Sequence, residues 1–239
     1  MAKAQIVTID SGRHNADLQA TAERLSRSKT YQNLSTIIIC PTRGQIHAKV
    51  VQSWMSLIRP MNQAVIGPMF AIGLEVGDAY NQMIQGIISN PGFDNYQYIL
   101  TIEEDNIPPP DGLMKLYENI DKYDVVGGIY FTKGPEGQPM IYGNPNVLPK
   151  NFIPQPAIPE TIQPCNGMGM GFHLFKLKMF REMPAPWFKT LQEYNPQTGS
   201  KCYTQDLYFY EQAAFKGYRF ACDTRCKVGH YDINEDIIW

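Results

Sequence analysis

The stretch Tyr98-Ile99-Leu100-Thr101-Ile102-Glu103-Glu104-Asp105-Asn106 decides the fold. An apolar run of strand length leads directly into three acidic residues, and prolines 108–110 separate these from a helical pattern that begins at Asp111. Carboxylates at the end of a buried strand repel one another and lose hydration, so they require a compensating cation. Ligands of open α/β sheets bind at the carboxyl ends of the strands. The stretch therefore predicts a divalent metal carrying a diphosphate, and a solvated acidic turn is the alternative.

Strand and helix patterns alternate through the first half of the chain. Strands are predicted at 35–40, 64–68, 98–102 and 124–130, and helices at 46–58, 76–87 and from Asp111 as N-cap. Alternation of this length implies parallel strands with right-handed crossovers. Later patterns predict strands at 171–176 and 218–222 and a helix at 204–216. We predict an α/β fold with a mostly parallel central sheet flanked by helices.

The 239 residues are enough for one sizeable domain, which we expect over 34–239 after a peripheral N-terminal helix and linker over 1–33. Prolines recur between residues 135 and 164 and no regular period survives there. A long irregular segment in a compact domain is usually a lid or a binding loop. The domain is therefore divided into two parts, 34–134 and 135–239.

Composition excludes several classes of function. The net charge is −2 and no basic run appears, so no nucleic-acid partner is expected. No apolar stretch approaches the roughly 20 residues that a membrane span needs. The N terminus is too weakly apolar for a signal peptide, and the five cysteines form no dense framework. We expect reduced thiols and a cytoplasmic location.

The acidic stretch has the spacing of a metal site. If the strand continues, Glu103 and Asp105 point the same way and Glu104 points elsewhere. Mg²⁺ or Mn²⁺ takes one or two protein carboxylates and fills its other positions with phosphates and water. His230, which follows Gly229 beyond the last predicted strand, is a candidate ligand; a structural histidine is the alternative. A zinc site at Cys222, Cys226 and His230 is a weaker interpretation, because a fourth ligand of suitable spacing is missing.

Two further segments are candidates for chemistry. Thr204-Gln205-Asp206 opens a helical pattern, so Thr204 is either an N-cap beside a favourably placed Asp206, or Asp206 is a general base for an acceptor hydroxyl. The segment 166–171, Asn-Gly-Met-Gly-Met-Gly, is either a bend packed on aromatic side chains or a substrate-facing loop. Trp187 nearby would suit a ring-shaped acceptor, although a Trp is more often core.

Taken in order, these motifs resemble the GT-A class of nucleotide-sugar glycosyltransferases, in particular its family 2-like group, over about residues 35–232. The matching segments are Pro41-Thr42-Arg43-Gly44, Glu75-Val76-Gly77-Asp78-Ala79-Tyr80-Asn81, Ile102-Glu103-Glu104-Asp105-Asn106, Thr204-Gln205-Asp206 and Val228-Gly229-His230. Tyr80, Glu103 and Gln205 depart from the arginine, aspartate and glutamate that are usual in that group.

The resemblance implies a GT-A type Rossmann-like sandwich and a metal-dependent transfer of sugar from a nucleotide-diphosphate sugar to a carbohydrate or other hydroxyl acceptor. Part 34–134 would bind the donor and part 135–239 the acceptor. Asp206 would be the base of an inverting reaction, although a retaining outcome stays open. Mn²⁺ or Mg²⁺ would be held by Asp105, His230 and Glu103. Donor binding would involve Pro41, Thr42, Arg43, Gly44, Asp78, Asn81, Glu103 and Glu104, and acceptor binding would involve Asn166, Gly167 and Trp187.

Two alternatives to a glycosyltransferase stay open. A sugar nucleotidyltransferase shares the α/β architecture but generally opens with a Gly-rich basic loop, of which Pro41-Thr42-Arg43-Gly44 is a poor version. A non-catalytic domain of the same fold could bind a nucleotide or a carbohydrate.

Overall fold

The computed structural model describes residues 33–197 and 199–239, and the predicted N-terminal helix lies outside the described residues. The described helices are α1 (Ala48–Met55), α2 (Val76–Ile88), α3 (Gly112–Tyr117), α4 (Leu177–Glu182) and α5 (Gln205–Phe215), with a short 3₁₀ turn at Pro91–Phe93. No helix in this part of the chain combines the length and apolar character that crossing a membrane would require.

The strands follow the predicted alternation and then depart from it. They are β1 (Thr36–Thr42), β2 (Val65–Ile72), β3 (Tyr98–Ile102), β4 (Asn106–Ile107), β5 (Val125–Ile129), β6 (Ile141–Tyr142), β7 (Ile162–Cys165), β8 (Gly167–Met168), β9 (Phe172–Lys176), β10 (Leu191–Asn195), β11 (Gly199–Tyr203), β12 (Phe220–Lys227), β13 (Gly229–Asp232) and β14 (Ile237–Ile238).

Seven strands form the central sheet in the order β2-β1-β3-β9-β5-β12-β7. Strands β2, β1 and β3 are parallel, and β5 and β12 run the same way. Strand β9 is antiparallel to both β3 and β5, and β7 is antiparallel to β12 at the edge. The predicted mostly parallel sheet flanked by helices is confirmed. The carboxyl ends of β1, β3 and β5 therefore lie at the same end of the sheet.

Helices cover both faces of the sheet. Successive side chains of a strand point to opposite faces, so one strand contributes to both cores. In β1, Ile37 and Ile39 pack into the core formed with α2, α4 and α5, whereas Ile38 and Cys40 pack into the core formed with α1 and α3. All four side chains are almost completely buried. The continuous apolar run of β1 is thus the pattern of a strand buried on both sides.

The insertion of β9 depends on a glycine. His173 of β9 lies opposite Thr101 of β3 on one side and Gly127 of β5 on the other. A Cβ at position 127 would lie 2.3 Å from the imidazole ring of His173. A glycine at position 127 therefore leaves room for the His173 ring over strand β5.

Several local expectations need correction. Asp111 occupies the N-cap position of α3 but makes no capping hydrogen bond; its carboxylate lies 2.9 Å from the Lys115 ammonium in a buried ion pair. The hairpin of β10 and β11 and helix α4 were not predicted. The segment 135–164 is largely irregular, as predicted, but it supplies β6 and the edge strand β7.

A small second sheet, formed by β14, β13 and β4, lies beside the acidic turn. Strand β13 pairs antiparallel with both β14 and β4, so that His230 lies opposite Asn106. The Tyr231 N–H donates to the Asp105 carbonyl oxygen at 2.7 Å. Backbone pairing, rather than a flexible Gly229, therefore brings the late histidine to the end of β3.

Candidate active site at the carboxyl edge of the sheet

The three acidic residues lie in a turn between β3 and β4. Asn106 closes this turn: its N–H donates to the Glu103 carbonyl oxygen at 3.0 Å, and its side-chain oxygen accepts the Glu103 N–H at 3.3 Å. A Cβ on Gly171 would lie 2.7 Å from that side-chain oxygen, so the glycine permits the close approach. Because residues 103–105 do not continue the strand, strand alternation does not set their directions. Each carboxylate has different partners.

Glu103 lies beside the buried ring of Tyr80, whose hydroxyl donates to Oε1 at 3.4 Å. Burial, together with the negative charges of Asp105 and Asp206, raises the pKa of Glu103 to about 8. A carboxyl group with this pKa is mostly protonated at neutral pH. Glu103 can therefore donate a hydrogen bond as a neutral acid.

Glu104 joins the end of β3 to the loop after β1. Its Oε2 accepts the Thr42 hydroxyl at 2.7 Å and the Arg43 N–H at 2.8 Å, and the Arg43 guanidinium pairs with Oε1. Although burial alone would raise it, these hydrogen bonds hold the pKa of Glu104 below its usual value. Glu104 is thus an anionic link between two neighbouring strand ends.

Asp105 receives two basic side chains on the same oxygen. Its Oδ2 lies 3.2 Å from Nε2 of His230 and 2.8 Å from Nζ of Lys133. Although burial alone would raise it, these two partners hold the pKa of Asp105 below its usual value. For His230, burial alone would lower the pKa, but the carboxylate of Asp105 raises it above the usual value.

The orientation of the His230 ring fits a metal ligand. Its Nδ1 lies 2.9 Å from the carbonyl oxygen of Phe131, and a carbonyl can only accept, so Nδ1 carries a proton. In the neutral ring Nε2 then has the free lone pair, and it faces Asp105. An oxygen and an imidazole nitrogen at this separation suit Mn²⁺ or Mg²⁺ with phosphate and water in the other positions.

Of the three predicted metal ligands, Asp105 and His230 face each other directly, and their role as ligands stays a prediction. Within residues 33–197 and 199–239, no group of three or more His, Cys, Asp or Glu side chains is arranged to hold a metal. The weaker zinc interpretation fails for a physical reason: Cys222 and Cys226 pack into the cores on opposite faces of the sheet.

Asp206 lies at the N-terminus of α5 and is only 6% exposed. Thr204 occupies the N-cap position but makes no capping hydrogen bond to the backbone; its side chain lies near the Asp206 carboxylate and lowers the pKa of that group. The Leu207 N–H donates to Asp206 Oδ1 at 2.8 Å. Burial raises the pKa of Asp206, although these contacts oppose the shift. The charge of Asp206 contributes to the raised pKa of Glu103, so the two carboxyl groups lie near each other.

The residues predicted to bind the donor are placed unequally. Pro41 and Thr42 are buried at the end of β1, and Arg43 and Gly44 are exposed beyond it. Asp78 is exposed on α2. The Asn81 carboxamide is engaged elsewhere, because its oxygen accepts the N–H groups of residues 187 and 188 at 2.9 and 3.1 Å and its nitrogen donates to the carbonyl oxygen of residue 188 at 2.7 Å. Asn81 therefore supports a loop, and its donor role stays a prediction.

The residues predicted to bind the acceptor are buried. Asn166 is 2% exposed and donates to the Asn151 carbonyl oxygen at 2.8 Å, and Trp187 is 2% exposed within the core. A Cβ on Gly167 would lie 2.9 Å from the ring of Phe152. This is the packed-bend alternative at the glycine-rich segment, and direct acceptor binding by these residues stays a prediction.

Two residues near the acids were missed. Lys133 follows strand β5, and the rule that ligands bind at the carboxyl ends of strands could have identified it. Tyr142 is half-buried, and burial together with the charge of Asp206 raises its pKa, which places it near that carboxylate. No sequence signal indicated Tyr142, because it lies in the irregular segment.

No protein-family model matches the chain, and no curated protein matches it. Solved structures do match. The crystal structure of A197 from STIV has a TM-score of 0.59 at 15% identity, covering 85% of this chain and 92% of that one. A structure of GalNAc-T7 with UDP, GalNAc and Mn²⁺ has a TM-score of 0.54 at 9% identity, covering 93% of this chain and 53% of that one.

An inositol-1-phosphate CTP transferase from T. maritima reaches a TM-score of 0.43 at 14% identity, with 92% of this chain and 78% of that chain covered, which is too distant to support an argument. Identities this low bear on the fold alone. The chain thus has a Rossmann-like α/β sandwich of the GT-A type.

Proposed function

We propose that this protein is a glycosyltransferase that moves a sugar from a nucleoside-diphosphate sugar to an acceptor hydroxyl, with Mn²⁺ or Mg²⁺ at Asp105 and His230. One observation carries the proposal: the Asp105 and His230 side chains meet at 3.2 Å, next to Glu103, whose pKa is raised in part by the charge of Asp206. A paired ligand set and a separate buried carboxylate are the two parts that metal-dependent transfer needs.

Asp206 is the proposed general base. Burial raises its pKa, so its carboxylate is more basic than that of an exposed aspartate and better matched to removing a proton from a hydroxyl. The Leu207 N–H, which donates to Oδ1 at 2.8 Å, orients the carboxylate, and the Thr204 side chain lies beside it. With the acceptor deprotonated as it attacks in line, the product would have inverted anomeric configuration.

The donor side is proposed to use Asp105, His230 and Glu103 in different roles. A bound cation would stabilise the negative charge that develops on the diphosphate leaving group. Asp105 and His230 would hold that cation. Glu103, which lies beside the Tyr80 hydroxyl, is proposed to contact the donor, and a direct contact with the cation stays a prediction. The exposed Arg43 and Gly44, at the end of β1, are proposed to approach the nucleotide.

The acceptor is proposed to enter beside Tyr142. This half-buried ring lies in the second part of the chain, and the charge of Asp206 contributes to the raised pKa of its hydroxyl. An aromatic ring near a base suits a sugar acceptor, whose apolar face can lie against it. Asn166 and Trp187 support this side from within the core.

A thermal-shift screen of UDP, GDP, CDP and ADP and their sugar conjugates, with MnCl₂ or with chelator, tests the proposal, since binding to the native state raises the melting temperature. We expect metal-dependent stabilisation by one nucleotide family and slow metal-dependent hydrolysis of its sugar conjugate. Equal stabilisation with chelator would contradict the metal. Binding without turnover would indicate a non-catalytic domain, and pyrophosphate release from a nucleoside triphosphate and a sugar phosphate would indicate a nucleotidyltransferase.

A further inference from the structure

Lys133 is the second basic side chain, after His230, that pairs with Oδ2 of Asp105. Its Nζ lies 2.8 Å from Asp105 Oδ2, the atom that also faces Nε2 of His230 at 3.2 Å. The Lys133 side chain is 33% exposed, so it is partly accessible to solvent. An ammonium has three donors. In residues 33–197 and 199–239, Asp105 is its one hydrogen-bonding partner, which leaves donors for a ligand.

The loop that carries Lys133 has a defined conformation. The Thr132 N–H donates to the Gln138 carbonyl oxygen at 3.0 Å, and the Gln138 N–H donates to the Thr132 hydroxyl at 2.9 Å. At the base of the loop, the Phe131 carbonyl oxygen accepts Nδ1 of His230. The ring that would hold the cation therefore also fixes the base of the loop, and Lys133 is positioned by the site.

Binding of a cation would change the environment of the ammonium. A divalent ion on Asp105 would lie within a few ångströms of Nζ, and like charges at such distances repel strongly where solvent is limited. The diphosphate of the donor would bring negative charge to the same place. A lysine is a suitable phosphate ligand because it acts as a compact point charge on a flexible stem.

We propose that the Lys133 ammonium pairs with Asp105 only until a metal-bound diphosphate arrives. The side chain then moves, and the ammonium pairs with a phosphate oxygen instead. This inference rests on the proposed function and adds a diphosphate-binding residue to it. Before the nucleotide binds, Lys133 competes with the metal for Asp105. Afterwards it strengthens nucleotide binding. Removing its charge should therefore affect the two binding events in opposite directions.

Calorimetric titration of the full chain tests this, with Lys133→Met as the variant because methionine keeps the length of the stem without the charge. For MnCl₂ alone we expect affinity to rise roughly two- to fivefold, as for loss of one competing partly exposed ion pair. For UDP or GDP at saturating MnCl₂ we expect affinity to fall about tenfold or more, as for loss of a charged hydrogen bond. Lys133→Arg should retain most of the nucleotide affinity.

Lys176→Met is the matched control. Lys176 pairs with Asp124 at 3.1 Å, with side-chain exposures of 21% and 16%, at the opposite end of strands β9 and β5. It should leave both affinities unchanged. If the wild type shows metal-dependent nucleotide binding and Lys133→Met changes neither affinity, or changes both in the same direction, the inference is overturned while the proposed function stands. If the wild type binds no nucleotide with metal, both are overturned.

Discussion

Nε2 of His230 lies 3.2 Å from Oδ2 of Asp105, across 125 positions of sequence. The other ring nitrogen donates to the carbonyl oxygen of Phe131, so both nitrogens donate when the imidazole is protonated. Without a metal, the Asp105 carboxylate favours the protonated imidazolium of His230. A metal would replace the proton on Nε2, so protons and metal compete for one atom.

The ion pair between His230 and Asp105 predicts a pH dependence of stability in the absence of metal. The pKa of His230 is raised in the folded protein, so its contribution is complete below the unfolded value of about 6.5 and is lost as pH rises through the folded value. The pKa of Asp105 is lowered, so its contribution is present above about 3.9 and lost as pH falls. Without metal, urea unfolding of wild type and His230→Gln should differ most between these limits. A difference independent of pH would contradict the ion pair.

The proposed metal site is tested by nucleotide binding. Asp105→Asn keeps the shape of the side chain but removes the charge, so MnCl₂ should no longer strengthen binding of UDP or GDP in calorimetry. Asp124→Asn, in the pair with Lys176 at the other end of the sheet, should keep the full enhancement. His230→Gln should weaken the enhancement without loss of folding. An unchanged enhancement in Asp105→Asn would exclude this site.

Loss of the proposed base should affect the rate and spare binding. For Asp206→Asn we expect transfer to fall roughly 10²–10⁴-fold, as is typical of general-base loss, with donor affinity nearly unchanged. Thr204→Val removes the hydroxyl that lowers the pKa of Asp206, so the pH–rate profile should shift to higher pH. Nearly intact transfer in Asp206→Asn, or a retained anomeric configuration by NMR, would remove Asp206 from the base role.

The sequence was sufficient for elements with a strong local pattern. The apolar run at β1 and the helical spacing of Val76, Tyr80, Met83 and Ile87 predict their elements directly, because each pattern records one buried face. The edge of the sheet that carries the acids followed from the alternation of strands and helices. What could be predicted of the site was the set of residues at strand ends.

Non-local pairing could not be predicted. Insertion of β9 between β3 and β5 depends on the fit of His173 beside Gly127, and neither residue has a periodic signal. The partners of single residues could not be predicted either. Asn81 supports a loop and Lys133 reaches Asp105 because distant segments of the chain pack together. A lone polar residue in a sequence does not indicate which side chain it will face.

The packing of His173 gives a prediction about the fold itself. His173 is completely buried, and its Nδ1 lies 2.9 Å from the Tyr210 hydroxyl, so the ring cannot turn away without losing that hydrogen bond. A Cβ at position 127 would lie 2.3 Å from the ring. Gly127→Ala should therefore lower the free energy of unfolding by about 1–3 kcal/mol, the usual cost of overpacking a core.

Gly86→Ala is the matched control for this substitution. Gly86 is exposed in the interior of α2, and a Cβ there would meet nothing within 4 Å. Alanine at such a position should raise the free energy of unfolding by roughly 0.5–1 kcal/mol, because it restricts the unfolded chain and favours the helix. Urea unfolding of both variants measures the two changes, which should have opposite signs. A Gly127→Ala protein as stable as the wild type would mean that the His173 ring does not pack against position 127.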